Sequence, residues 1–299
     1  MNKIIVPGML ILSVVFTACD YYGPCLNGTG PVISEVRDIS DFTGVSNNGS
    51  FDVFVTQSDE FDVEVVAQGN LIPIIKTHVS GNTLRIETKN GTCYRSDSPV
   101  EIYVSLPELE LLALSGSGEV VADVADAPGV KFSNSGSGQM SIETVVAGEL
   151  AITNSGSGKV EILESTVNEL RLVQSGSGTI HGGTIRESAN VSIRHSSSGR
   201  VRASVVNGSM VDAILSGSGN IDLDGEISSA EYTLNSSGRI DALELEAAEV
   251  NATITGSGRI FVWATEILEA TITGSGDVIY RGQPAISFQI TGSGKVRPY

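Results

Sequence analysis

The sequence predicts an all-β chain, most of it a right-handed parallel β-helix (a β-solenoid) of about ten coils of 18–21 residues, preceded by a β-rich N-terminal region. The first observation behind this is a four-residue corner, Ser-Gly-Ser-Gly or a near relative, repeated ten times. It closes on Gly118, Gly138, Gly158, Gly178, Gly199, Gly219, Gly238, Gly258, Gly276 and Gly294, at spacings of 20, 20, 20, 21, 20, 19, 20, 18 and 18 residues. Self-similarity at a fixed period marks a repeat architecture. The second observation is a set of apolar columns that flank each corner. Two residues after the closing glycine stand Val120, Met140, Val160, Ile180 and their copies; six before it stand Leu112, Phe132, Ile152, Leu172 and theirs. Period two on both sides means a strand enters the corner and a strand leaves it, each with one buried face. The third is composition: 34 glycines and only 5% aromatic residues suit thin β-layers.

One such period offers two strands and a more variable return segment, and it cannot bury its apolar face alone. Stacked periods can. Each column then becomes a ladder with ~4.8 Å between rungs, and ten coils make a rod of roughly 50 Å. Right-handedness is the default for parallel crossovers. A left-handed solenoid calls for a hexapeptide rhythm, which these periods lack.

From the N-terminus, Lys3 precedes an apolar run from Ile4 to Phe16 interrupted by Pro7-Gly8. The run is too short for a permanent span, which favours a cleaved export signal. It ends in Phe16-Thr17-Ala18-Cys19, similar to a bacterial lipoprotein signal in which Cys19 carries the lipid; the alternative is ordinary secretion with Cys19 a plain thiol. A lipid anchor holds a protein to a membrane without spanning it. Residues 1–19 are thus a signal segment. Residues 20–31 (DYYGPCLNGTGP), with no periodicity, read as a tether. Cys25 and Cys93 are either a disulfide, as an oxidising compartment permits, or two unrelated thiols.

Residues 32–110 hold strand-like runs at Ser50–Val55, Phe61–Ala67, Thr83–Thr88 and Val100–Leu106, with turn signals at Asn48-Gly49 and Ser80-Gly81-Asn82. Residues 111–299 are the repeats, and nothing there calls for a helix; Leu243–Glu249 comes nearest, short and uncapped. Within the corner the closing glycine is invariant, which implies backbone angles or a close approach that a side chain forbids. Serine precedes it in every copy, Ser117 to Ser293, so hydroxyls stack along the axis.

One inward column breaks the apolar rule. Four residues before the closing glycine stand Asn134, Asn154, Gln174 and His195, where later coils carry Leu or Ile. The expected structure is a buried amide ladder, each side chain bonded to its copy above and below, with His195 as its capping member. The functional alternative is a polar pocket inside the rod.

A net charge of −17 repels phosphate backbones, so nucleic acid is not an expected partner. The three histidines, His78, His181 and His195, show no metal-ligand spacing, and no cofactor motif occurs. The most enzyme-like feature points outward, three residues after the glycine: Glu161, His181, Arg202, Asp222 and Asp241 on successive coils. Carboxylates so placed could approach the separation glycosidases use. The coils carry no insertion to wall a cleft, so a solvated charged face is the preferred reading. A smaller feature is a set of outward threonines, Thr253/Thr255 and Thr271/Thr273.

The blocks VRDISDFTGVSNNGSFDVFVTQSDEFDVEVVAQGN, LRIE and VEIYVSLPELELLALSGSGEV, followed by GSG repeats, cover residues 36–299. Their order resembles the bacterial family called putative autotransporter adhesin, head GIN domain. That resemblance implies a β-helical exported protein, often a lipoprotein of Bacteroidota-like bacteria, with adhesion proposed from architecture and no catalytic residues to carry over. The expectation is therefore a non-enzymatic lipoprotein of the cell envelope, in the outer membrane with a periplasmic or surface face. It needs no cofactor, and its partners are the membrane through the anchor and a glycan or an envelope or host surface protein. The rival classes are a carbohydrate-active enzyme on the Glu161–Asp241 face, of polysaccharide lyase or glycosidase type, and a structural envelope spacer.

Overall fold

The computed structural model describes residues 25–187 and 190–299. Cys19 and the signal segment lie outside the described residues. The N-terminal strands are β1 (Leu26–Asn27), β2 (Val32–Val36), β3 (Gly44–Asn47), β4 (Asp52–Gln57), β5 (Asp62–Gln68), β6 (Ile75–Ser80), β7 (Thr83–Thr88), β8 (Tyr94–Arg95) and β9 (Glu101–Leu106). The repeats follow as β10 (Leu111–Leu114), β11 (Glu119–Asp126), β12 (Gly129–Asn134), β13 (Gln139–Asn154), β14 (Lys159–Gln174), β15 (Thr179–Arg186), β16 (Asn190–His195) and β17 (Arg200–Leu215). The last are β18 (Asn220–Leu234), β19 (Arg239–Gly256), β20 (Arg259–Gly274), β21 (Asp277–Arg281), β22 (Ala285–Gly292) and β23 (Lys295–Pro298).

The chain is an all-β solenoid of about nine turns, as ten corners require. Every strand pair within the repeats is parallel and joins like positions of successive coils: Met140 lies beside Val160, Ile152 beside Leu172. The short candidate helix at Leu243–Glu249 is part of β19, because its alternating Leu245 and Ala247 meet the buried columns of the neighbouring coils.

Three ladders build each coil, one more than the periodicity announces. The strand leaving the corner buries the positions two and four after the glycine, and the entering strand buries those eight, six and four before it. The return segment is itself extended, so that β13 and β14 each run 16 residues without a break. It buries a further column, Ala125, Val145, Ser165, Ile185 and Val205. Each Leu, Ile or Val removed from water in this way contributes about 1.5–3 kcal/mol, and the whole set forms one cluster from Phe42 to Val278.

The ladder also runs on below residue 111. β10 pairs with β3, and β11 with β4, both parallel and in register, Leu114 lying on Asn47 and Val120 on Val53. Segment 47–51 (NNGSF) is therefore an additional corner with Phe51 where the closing glycine would stand. Beyond it β7 and β9 add to the two sheet faces, and the antiparallel strands β6, β5 and β2 finish that end of the rod. Residues 25–28 of the segment read as a tether are tied down: β1 pairs with β8 and Cys25 is bonded to Cys93.

The invariance of the closing glycine comes from close approach. A Cβ on Gly158 would collide with the carbonyl oxygen of Gly138 and stand 2.6 Å from Asn134 Nδ2 of the coil before. Positive φ enters only at the first glycine of the last three corners, as at Gly274 with φ 124°. Where serine replaces that first glycine, at Ser197 and Ser236, its hydroxyl donates to the carbonyl of Gly176 or Gly217 one coil back.

Candidate functional site

The interior column is buried as the spacing predicts, with Asn134, Asn154, Gln174 and His195 all 0–1% exposed. Its bonding differs from the expected amide ladder. Asn134 Nδ2 donates to Gly138 O (3.1 Å) and its Oδ1 accepts from Gly136 N (3.0 Å), both in its own corner. Asn154 Nδ2 donates to Gly158 O (3.0 Å) and Gln174 Nε2 to Gly176 O (2.7 Å). The chain turns back toward the side chain within two to four residues, so the corner's own carbonyls lie nearer than the neighbouring amide. His195 sits with Nε2 2.8 Å from Gly199 O and Nδ1 3.2 Å from Gln174 O. A neutral imidazole has one N–H, so it can donate to only one of these oxygens at a time. The column forms backbone clamps and opens to no solvent. Asn47, which donates to Phe51 O (2.8 Å), belongs to the same set. Sequence reasoning missed it because no glycine closes its corner; the Asn-x-Gly-Ser spacing shared with 134–137 is the signal that finds it.

The outer surface of the corners is a shallow groove of about 530 Å³ across four coils, floored by Ser117, Ser137 and Ser157 and edged by Asp52, Glu119, Lys159 and His181. Hydroxyls meet along the axis at Ser50–Ser117 (3.0 Å), Ser155–Ser175 (3.3 Å) and Ser275–Ser293 (3.0 Å). The outward threonines also stack, Thr253 beside Thr271 and Thr255 beside Thr273 and Thr291.

The strands leaving the corners carry the charged face. Glu161, His181, Arg202, Asp222 and Asp241 do stand side by side on successive coils. The same column continues upward through Ser141 and Val121 to the stacked rings of Phe54 and Tyr103, centroids 5.2 Å apart, and downward to Phe261. Beside it, one residue after each closing glycine, runs a second outward column: Lys159, Thr179, Arg200, Asn220, Arg239 and Arg259. Lys159 lies 2.5 Å and His181 3.5 Å from the Glu161 carboxylate. Asp222 lies 3.5 Å from Arg200 and 3.8 Å from Arg202, and Asp241 is paired with Arg239. The Lys159 hydrogen bond, helped by His181, holds the Glu161 carboxyl below the usual carboxylate range. A glycosidic general acid needs the opposite shift. Among the described residues no group of three or more His, Cys, Asp or Glu is placed to hold a metal ion.

Two crystal structures share this architecture. One is a putative adhesin from Parabacteroides merdae, 22% identical, with a TM-score of 0.55 over 93% of this chain and 100% of that one. The other is a putative adhesin from Parabacteroides distasonis, 23% identical, with a TM-score of 0.50 over 92% of this chain and 100% of that one. No curated protein sequence matches the chain. The model of the family "Putative auto-transporter adhesin, head GIN domain" matches residues 41–213 and 185–284, and the chain belongs to that family.

Proposed function

We propose that the protein is a non-enzymatic adhesin of the cell envelope, exported and held to the membrane by a lipid on Cys19, whose rod presents an extended surface to a glycan or surface-protein partner. The observation that carries this reading is the unbroken register of outward side chains from Tyr103 to Phe261, on coils with no insertion between them. A face of this kind offers many small, evenly spaced contacts along one direction. It suits a long partner better than a small molecule that must be enclosed. Family membership points the same way. Against catalysis speak the ion-paired carboxylates on that face and the lowered carboxyl of Glu161.

The mature chain should bind a subset of a glycan array or intact bacterial or host surfaces, and leave any bound glycan uncleaved. Turnover that disappears in Asp222→Asn or Asp241→Asn would overturn the non-enzymatic reading, and absence of any ligand would favour a structural spacer. For the anchor, incorporation of a palmitate analogue should vanish in Cys19→Ala; a label that persists refutes it.

A further inference from the structure

We propose, building on the adhesin reading, that the ligand is an acidic polysaccharide, bound lengthwise along an arginine ladder on the strands leaving the corners. In a chain of net charge −17 this strip is the exception. The two outward columns between Lys159 and Arg297 hold seven Lys or Arg and four Asp or Glu. The two signs also stand at different heights. Asp222, Asp241 and Asp277 are short and lie low, their side chains 24–29% exposed, while Arg200, Arg202, Arg239 and Arg297 reach over them at 46–56%. The carboxylates therefore act as footings that hold the guanidinium groups in place, and the surface that meets solvent is cationic. Phe261 adds a second footing, its ring centroid 4.1 Å from the Arg239 guanidinium carbon. Arg259, exposed and one coil further on, has no ion-pair partner among the described residues.

Arginines fixed in this way have little freedom left to lose, and each keeps free N–H donors that match a carboxylate or sulfate oxygen pair. From Arg200 to Lys295 is five coil steps, about 24 Å at ~4.8 Å per coil. An extended acidic glycan, with charged groups at every ring or every second ring, lies along such a ladder without bending. The borders set the width. On one side are the neutral serines of the corners, and on the other the exposed carboxylates Glu164 and Glu244. A single glycan chain fits between them, whereas the second row of phosphates on a duplex would meet those carboxylates.

The test measures binding of polygalacturonate, neutral dextran and duplex DNA to the immobilised full chain at low and high salt. Comparison is with a variant carrying Arg200→Gln, Arg202→Gln, Arg239→Gln and Arg259→Gln. The wild type should hold polygalacturonate in a salt-dependent manner and ignore dextran, and the variant should bind it roughly tenfold or more weakly. Single Arg259→Gln, which breaks no ion pair, serves if the fourfold variant melts early, and should lose part of the affinity. Neutralising the opposite face by Glu231→Gln and Glu249→Gln should leave binding intact. Equal binding by wild type and the arginine variants, or tighter binding of duplex DNA, overturns the proposal. A wild-type chain that binds cells or neutral glycans but no acidic polymer overturns it and leaves the adhesin reading standing; one that binds nothing ends both.

Discussion

Gln174 donates to Gly176 O and Gly178 O, yet both oxygens have other partners, the Ser197 hydroxyl and the backbone N–H of Arg200. Its own Oε1 is buried with none. Gln174→Leu, which installs the residue that Leu215 supplies two coils later, should therefore change stability by less than about 1 kcal/mol in either direction. Gly158→Ala should cost about 1–3 kcal/mol or more, because the added methyl has to displace the Gly138 carbonyl and the Asn134 amide of the adjacent coil. Paired denaturant titrations of the two variants check both, and a costly Gln174→Leu would show that the amides hold the corners together. The burial of this column was legible from period two alone. Its bonding was not, since a column in an alignment fixes which way a side chain points and leaves open whether its amide meets the like amide of the next coil or the backbone.

The N-terminal strands close one end of the rod, and their stability rests on contacts that periodicity does not announce. The Cys25–Cys93 bond spans 68 residues, enclosing β1 to β7. Loop-closure entropy puts its contribution at no more than about 4 kcal/mol. Cys93→Ser should lower the unfolding midpoint, with protection lost first in β1, β2 and β5 by hydrogen exchange; uniform loss along the whole rod would contradict a local role. Next to the bond, Tyr94 stacks on Phe51 at 5.8 Å and donates to Ser50 O. Burial first, and the Asp52 carboxylate second, push its phenol from 10.0 up to about 12. The folded value lies above the unfolded one, so this contribution is whole below pH about 10 and is lost as pH rises from there to about 12. Tyr94→Phe should flatten the stability–pH curve in that window and leave its slope unchanged near neutrality, where only the hydrogen bond to Ser50 O is lost. Of this end of the molecule the sequence showed the strands, through alternations such as Val63 and Val65. It hid that they continue the solenoid, because Phe51 fills a glycine position. The return ladder was hidden for a related reason: its buried column varies from Ala125 to Ser165 to Ile185 at seven residues from the glycine, out of phase with the even offsets that mark the leaving strand, and slips to six at Val205.

At the scale of the whole rod, nearly all pairing within the repeats is between a coil and its two neighbours, residue beside like residue. Stability in such an array is a sum of coil and interface terms, with no single coil indispensable. Removing residues 139–158, one full period from one closing glycine to the next, brings Lys159 onto Gly138 and sets Val160 over Val120 and Leu172 over Phe132, apolar on apolar throughout. The shortened chain should fold, give the same β-rich circular dichroism and melt cooperatively at a slightly lower temperature. Removing 139–148, half a period, sets the following corner out of step with its predecessor and lays the corner residues Ser155 and Ser157 on the buried return column at Ala125 and Ala127. That chain should not fold. The pair also separates architecture from recognition, because the full-period deletion leaves Arg200, Asn220, Arg239 and Arg259 on consecutive coils in their original order. It should keep the affinity of the intact chain for polygalacturonate while losing a coil of length, whereas a deletion of 239–258, which takes out Arg239 and brings Arg259 onto Asn220, should weaken it with the fold preserved. Equal loss of binding in both deletions would mean that rod length, and not the arginine ladder, sets affinity.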